Sequence, residues 1–122
     1  MLNHKALFID GRWITPSGQG IAEVINPATE EVAGSVPLGD ERDVDNAVAA
    51  ARRAFGPWSR TPSSVRAGYI RALAEQLRAR ADEMAAVITT ELGMPVQWCR
   101  SVQVDGPIVG LEQYVELAGL MD

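Results

Sequence analysis

The 122-residue sequence offers few side chains for covalent chemistry, with a single cysteine, Cys99, and a single histidine, His4. A reactive thiol needs a setting that stabilises the thiolate, such as a helix N-terminus or a basic neighbour. Arg100 is adjacent to Cys99, but adjacent helical residues point in different directions, so Cys99 reads as a buried or semi-buried structural thiol. No Cys or His pair has zinc spacing, no Gly-x-Ser-x-Gly elbow occurs, and His4 lies in the N-terminal arm. Gly34 to Gly39 has the spacing of a phosphate-cradling loop, but Asp40-Glu41 follows where Lys-Ser/Thr would be needed, and two carboxylates repel phosphate. Gly18-Gln19-Gly20 opens like a dinucleotide fingerprint, yet Glu23 stands in the place of its third glycine. The carboxylate pairs Glu30-Glu31, Asp43 with Asp45, and Asp82-Glu83 fit turns and helix exteriors. Glu91 differs, because it ends a helical stretch where its charge faces the negative end of the helix dipole. It is either an exposed last-turn residue or a group that meets a cation or basic partner. Trp13, Trp58 and Trp98 are too dispersed for a base-stacking platform and fit core or interface packing.

The elements that must position these groups follow from composition and periodicity. At 47% hydrophobic and 22% charged, the chain has a globular balance and the size of one domain or part of one. Its net charge of −5 has the wrong sign for a nucleic-acid partner. Neither a membrane-length apolar run nor a signal-peptide core is present, so the expected location is cytoplasmic, without a membrane partner.

Residues 1–39 read as β-hairpins and turns, and residues 40–122 as helices. Leu7 to Ile14 alternates around Asp10-Gly11, a dipeptide suited to a type I′ turn. Ala22 to Ile25 and Val32 to Val36 flank a turn punctuated by Asn26 and Pro27. Asp40 is a helix N-cap, and Val44, Ala47, Val48, Ala51 and Phe55 form one apolar stripe that Gly56-Pro57 ends. Thr61-Pro62 opens a second helix of about seven turns, lined on one face from Val65 through Tyr69, Ile70, Leu73, Leu77, Met84, Val87 and Ile88 to Leu92. Arg71 with Glu75 and Arg78 with Asp82 fall four apart on its solvated face. Gly93-Met94-Pro95 breaks that helix, and Gly106-Pro107 is expected to kink or split the last one. Ile108, Leu111, Val115, Leu117, Leu120 and Met121 give the last helix a broad apolar face. An apolar helix running to Asp122 suggests a core that continues in further sequence.

From residue 7 onward the pattern resembles the N-terminal part of the aldehyde dehydrogenase superfamily. The resemblance is carried by Phe8-Ile9-Asp10-Gly11-x-Trp13, by Val24-Ile25-Asn26-Pro27-Ala28-Thr29-Glu30-Glu31-Val32 and by Val36-Pro37. It continues through Asp43-Val44-Asp45-x-Ala47-Val48-x-Ala50-Ala51-Arg52-x-Ala54-Phe55-x-x-Trp58, Arg66 and Glu91-x-Gly93-x-Pro95. It implies an α/β fold in which N-terminal hairpins and helices flank a Rossmann-like NAD(P)-binding domain, with residues 1–122 forming the N-terminal part of that domain. The segment itself is then α+β and mainly helical.

Family members oxidise aldehydes to acids with NAD or NADP, using a cysteine nucleophile and a glutamate that activates water. The motifs carrying those two residues have no counterpart here. Glu91-Leu92-Gly93 matches the earlier, noncatalytic Glu-x-Gly-x-Pro stretch, and Cys99 lacks the Gly-Gln-x-Cys setting. No residue is therefore carried over as catalytic or cofactor-binding, and this chain alone is expected to be inactive and to bind the cofactor poorly. The resemblance implies a structural alkali-cation site using Glu91 and a backbone oxygen of Val24 or Ile25, and an aldehyde-tunnel wall including Val109 and Gln113. Many members have glycine in place of Glu30, where a left-handed backbone would burden a glutamate. The complete enzyme would take a small aldehyde and assemble as a homo-oligomer. The competing reading is a truncated, noncatalytic helical module for self-association or partner binding.

Overall fold

The computed structural model describes residues 2–118 and 120, so Met121 lies outside the described residues. Five short strands precede the helices: β1 (Leu2–Asn3), β2 (Leu7–Ile9), β3 (Arg12–Ile14), β4 (Ile21–Ile25) and β5 (Val32–Pro37). The helices are α1 (Glu41–Ser59), α2 (Ser63–Ala79), α3 (Ala81–Leu92), the single turn α4 (Val96–Trp98), a π-helical segment (Cys99–Asp105) and α5 (Gly106–Ala118). The chain divides into two compact units, Met1–Arg60 and Thr61–Asp122, so α1 belongs with the strands.

In the first unit β2 and β3 form an antiparallel hairpin, with Phe8 opposite Trp13. Asp10 (φ 56°) and Gly11 (φ 74°) both adopt the positive angles that a type I′ turn requires. Alternation leaves Leu7, Ile9 and Ile14 half-buried and sends Phe8 and Trp13 outward, where their rings meet edge-on at 5.2 Å. A second sheet has the order β1-β5-β4. β4 runs antiparallel to β5 with an irregularity between Val24 and Ile25, and β1 runs parallel to β5. That parallel pair is too short to show periodicity in the sequence.

The turn between β4 and β5 is built by Asn26. Its side-chain oxygen accepts from Ala28 N at 2.9 Å, and its carbonyl accepts from Glu30 N at 2.8 Å. Glu30 sits at φ 60°, so the left-handed conformation is retained with a side chain that disfavours it. Glu30→Gly is accordingly expected to stabilise the chain by about 1 kcal/mol, because glycine removes the Cβ clash while giving back some unfolded-state entropy. A raised urea midpoint at unchanged slope would confirm it, and a lowered midpoint would refute it.

Several helix limits differ from expectation. α1 continues through Pro57 to Ser59, and its stripe is open, with Val44 59%, Val48 45% and Phe55 70% exposed. The single long helix is two helices, broken at Arg80. The residue before α2 is Pro62, whose ring has no hydrogen-bonding group to cap it, so Pro62 flanks the helix and Ser63 is its first residue. Arg80 grips Glu83 through two hydrogen bonds of 2.8 and 2.7 Å, fastening the first turn of α3 and holding the Glu83 carboxyl below its ordinary range. Because the break separates Arg78 from Asp82, Arg78 pairs with Glu112 of α5 and Asp82 with Arg100.

The core of the second unit is Ala74, Ala81, Ala85, Cys99, Val104 and Ile108, flanked by Leu77, Met84, Ile88, Met94 and Leu111. The alanines of α2 and α3 leave room for the bulkier Val104 and Ile108. At Gly106-Pro107 the helix changes type. Gly106 stays helical and the π segment ends immediately before it. On α5, Ile108, Leu111 and Val115 face inward, while Leu117 and Leu120 are exposed.

Candidate functional site

The most elaborate polar arrangement is at the start of α1, where Asp40 and Asp43 make a reciprocal capping box. Asp43 N donates to Asp40 Oδ1 at 3.1 Å, and Asp40 N donates to Asp43 Oδ2 at 3.1 Å. The Asp43 carboxylate also accepts from Ser17 N at 3.1 and 3.0 Å and from Gly18 N at 3.2 Å. Ser17 Oγ donates to Asp40 Oδ1 at 2.7 Å. The connector before β4 is thereby tied to the N-terminus of α1. Asp43 is only 4% exposed, which corrects its reading as part of a helix exterior. The sequence signal was Asp-x-x-Asp at a helix start. A helix N-terminus attracts anions, and here the anion is the chain's own carboxylate, so the Gly34 to Gly39 stretch leads to an occupied helix start.

These bonds, with Ser17 N–H the largest influence, hold the Asp43 carboxyl down at about 2 against the opposing effect of its burial. Its ordinary value is 3.8. A depressed carboxylate contributes stability that is present above the unfolded value and is lost as pH falls through the folded one. The contribution of Asp43 should therefore disappear between about pH 4 and pH 2. Denaturation midpoints across that window should fall less steeply in Asp43→Asn than in the parent, and parallel profiles would refute the assignment.

Cys99 is fully buried and its thiol donates to the Met94 carbonyl at 3.4 Å. Arg100 turns away to Asp105, at 3.0 Å, and to Asp82. The cysteine is thus sequestered in the core of its unit.

Glu91 is exposed on the last turn of α3, before Gly93 closes the helix in the left-handed conformation. Val24 and Ile25 are in the first unit, at the irregularity in the β4–β5 ladder. The register steps from Val24 opposite Gly34 to Ile25 opposite Val32, so the extra residue, left unpaired, is Ala33 of β5. The exposed Glu91 carboxylate is an oxygen ligand of the type a hard cation accepts. Among the described residues, no cluster of three or more His, Cys, Asp or Glu side chains could hold a metal. Val109 and Gln113, four apart, lie together on the exposed side of α5. Gln113 lines an open depression of about 380 Å³ with Glu116, Leu117 and Leu120. No helix among the described residues is long and apolar enough to cross a membrane.

Comparison with known proteins gives this arrangement its context. The model of the aldehyde dehydrogenase family matches residues 13–122, and the chain belongs to that family. It is 40% identical over 124 residues to a 3-succinoylsemialdehyde-pyridine dehydrogenase from Pseudomonas sp, covering 99% of this chain and 25% of that protein. It is 39% identical over 123 residues to aminoaldehyde dehydrogenase 2 of Zea mays, covering 97% and 24%. Its fold matches an aldehyde dehydrogenase from Bartonella henselae with a TM-score of 0.93 and 31% identity, over 98% of this chain and 25% of that one. It also matches a Mycobacterium tuberculosis aldehyde dehydrogenase complexed with NAD+, with a TM-score of 0.91 and 37% identity, over 97% and 25%. The chain thus spans about a quarter of the length of these relatives.

Proposed function

We propose that this chain is the N-terminal portion of an NAD(P)-dependent aldehyde dehydrogenase that oxidises a small aldehyde to its carboxylic acid. The observation that carries this reading is the match over nearly the whole chain to about a quarter of each relative. The segment contributes the opening hairpins and flanking helices of a Rossmann-like NAD(P)-binding domain. The open apolar surface of Val44, Val48 and Phe55 on α1 fits a module designed to be covered by further structure. In the complete, cytoplasmic, homo-oligomeric enzyme, NAD or NADP would accept the hydride when bound.

The residues of this chain serve that reaction indirectly. Val109 and Gln113 would line the aldehyde's path, one apolar and one able to hydrogen-bond a polar substrate. Glu91 would contribute a carboxylate oxygen to a structural alkali cation. Cys99 has no part in bond making.

The test has two arms. The coding frame beyond Asp122 should encode Pro-Trp-Asn and a later Gly-Gln-x-Cys, and the polypeptide carrying them should reduce NAD(P)+ in the presence of aldehyde. The 122 residues alone should not. A stop codon with neither motif downstream would overturn the proposal, as would robust turnover by the isolated chain that is abolished by Cys99→Ala.

A further inference from the structure

The π-helical segment is independent of the aldehyde reading, and its residue spacing explains it. Cys99, Val104 and Ile108 are the largest fully buried side chains. They are separated by five residues and then by four. On an α-helix, residues five apart lie about 140° from one another around the axis. Cys99 and Val104 could not then both enter one core. In a π turn, where hydrogen bonds run from i to i+5, the wider turn brings residues five apart to within about 50° of one another, close enough to share one face. The Gly106 N–H indeed bonds to the Ser101 carbonyl, five residues back.

A second pair keeps the same step. Arg100 Nε donates to Asp105 Oδ1 at 3.0 Å, so an ion pair that usually spans four residues on an α-helix here spans five. Between the fixed positions lie Ser101, Val102 and Gln103, all exposed. Beyond Asp105 the α spacing returns, with Ile108, Leu111 and Val115 facing inward.

We infer that Cys99–Asp105 is a register adaptor: an α-helical side-chain plan with one extra residue, stored as a π turn, which keeps Cys99 and Val104 in the core and sets the rotation of α5. Removing one exposed residue, such as Gln103, would return both the Cys99 to Val104 step and the Arg100 to Asp105 step to four. The rival cause is Pro107, whose ring clashes with the carbonyl four residues earlier in a regular α-helix and which cannot donate a backbone hydrogen bond. A wider turn before it would relieve that clash.

The two causes separate experimentally in the 122-residue chain. The variants are Pro107→Ala, and Pro107→Ala combined with deletion of Gln103. Peptide-resolved iodoacetamide labelling of Cys99 reports its burial, and a crystal structure reports the register. If spacing is the cause, Pro107→Ala keeps the π turn, and the combined variant becomes continuous α-helix while Cys99 labelling stays within about twofold of the parent. Deleting Ala86 from α3 in the same way, where no extra residue is stored, should unfold that unit and raise Cys99 labelling at least about tenfold. The inference is overturned if Pro107→Ala alone abolishes the π turn, if the combined variant exposes Cys99 or fails to fold, or if deletion of Ala86 is tolerated equally well.

Discussion

Replacing Ile108 with alanine is expected to lower the stability of the chain by about 2 to 5 kcal/mol, the range for truncating a large buried aliphatic side chain. Ile108 is 2% exposed and shares its core with Ala74, Ala81 and Ala85, which have no length with which to fill the space left behind. Collapse of the surrounding helices is the only route to a smaller loss, so the upper half of the range is expected. The α2–α5 contact should loosen along with the cavity. Urea denaturation provides the check: the midpoint should fall at nearly constant slope. Val109→Ala, one residue further along the same helix but 49% exposed, should cost much less. Equal losses for the two substitutions would show that Ile108 is not the core anchor.

The second large effect is expected at Gly18. A Cβ there would lie 2.4 Å from the Leu38 carbonyl oxygen and 3.0 Å from Asp40 N. Both are backbone atoms, so neither can swing aside as a side-chain tip would. Gly18→Ala must push the connector away from α1 and strain or break the Gly18 and Ser17 bonds to Asp43, at a cost of about 1 to 3 kcal/mol. Gly68→Ala is the control, since a Cβ on that helical residue meets nothing within 4 Å. It should be neutral or stabilising by up to about 1 kcal/mol, through helix propensity. Thermal unfolding of the two variants should thus move in opposite directions or at least separate clearly, and a neutral Gly18→Ala would refute the close approach.

What the sequence made legible follows from how local each signal is. The Asp10-Gly11 hairpin needs only two residues with positive φ between alternating flanks, and it forms as read. Asp40 as N-cap is equally local. The break at Arg80 was hidden because neither glycine nor proline marks it and the apolar stripe runs on through Leu77 and Met84 into the same core. The extra N-terminal strand was hidden for the opposite reason, since Leu2–Asn3 is recruited entirely by a distant partner. Asp43 looked like surface charge, and only the approach of Ser17 and Gly18, some 25 residues earlier in sequence, makes it interior. Of the residues considered for function, Val109, Gln113, Val24 and Ile25 were reached only through the family resemblance, whereas Glu91 also stood out by its place at the end of a helix. The five-residue step from Cys99 to Val104 was visible in the sequence but becomes informative only once both side chains are known to be buried.

The short parallel strand has a practical consequence for handling the protein. β5 is the middle strand of its sheet only because Leu2–Asn3 lies along it, continued by the bond from His4 N to the Ser35 carbonyl at 2.9 Å. A version starting at Lys5 would strip that cover and open the β5 edge at Gly34. Such an open edge is a template for strands of other molecules, so trimming four residues from the front should show itself first as turbidity and sticking at high concentration.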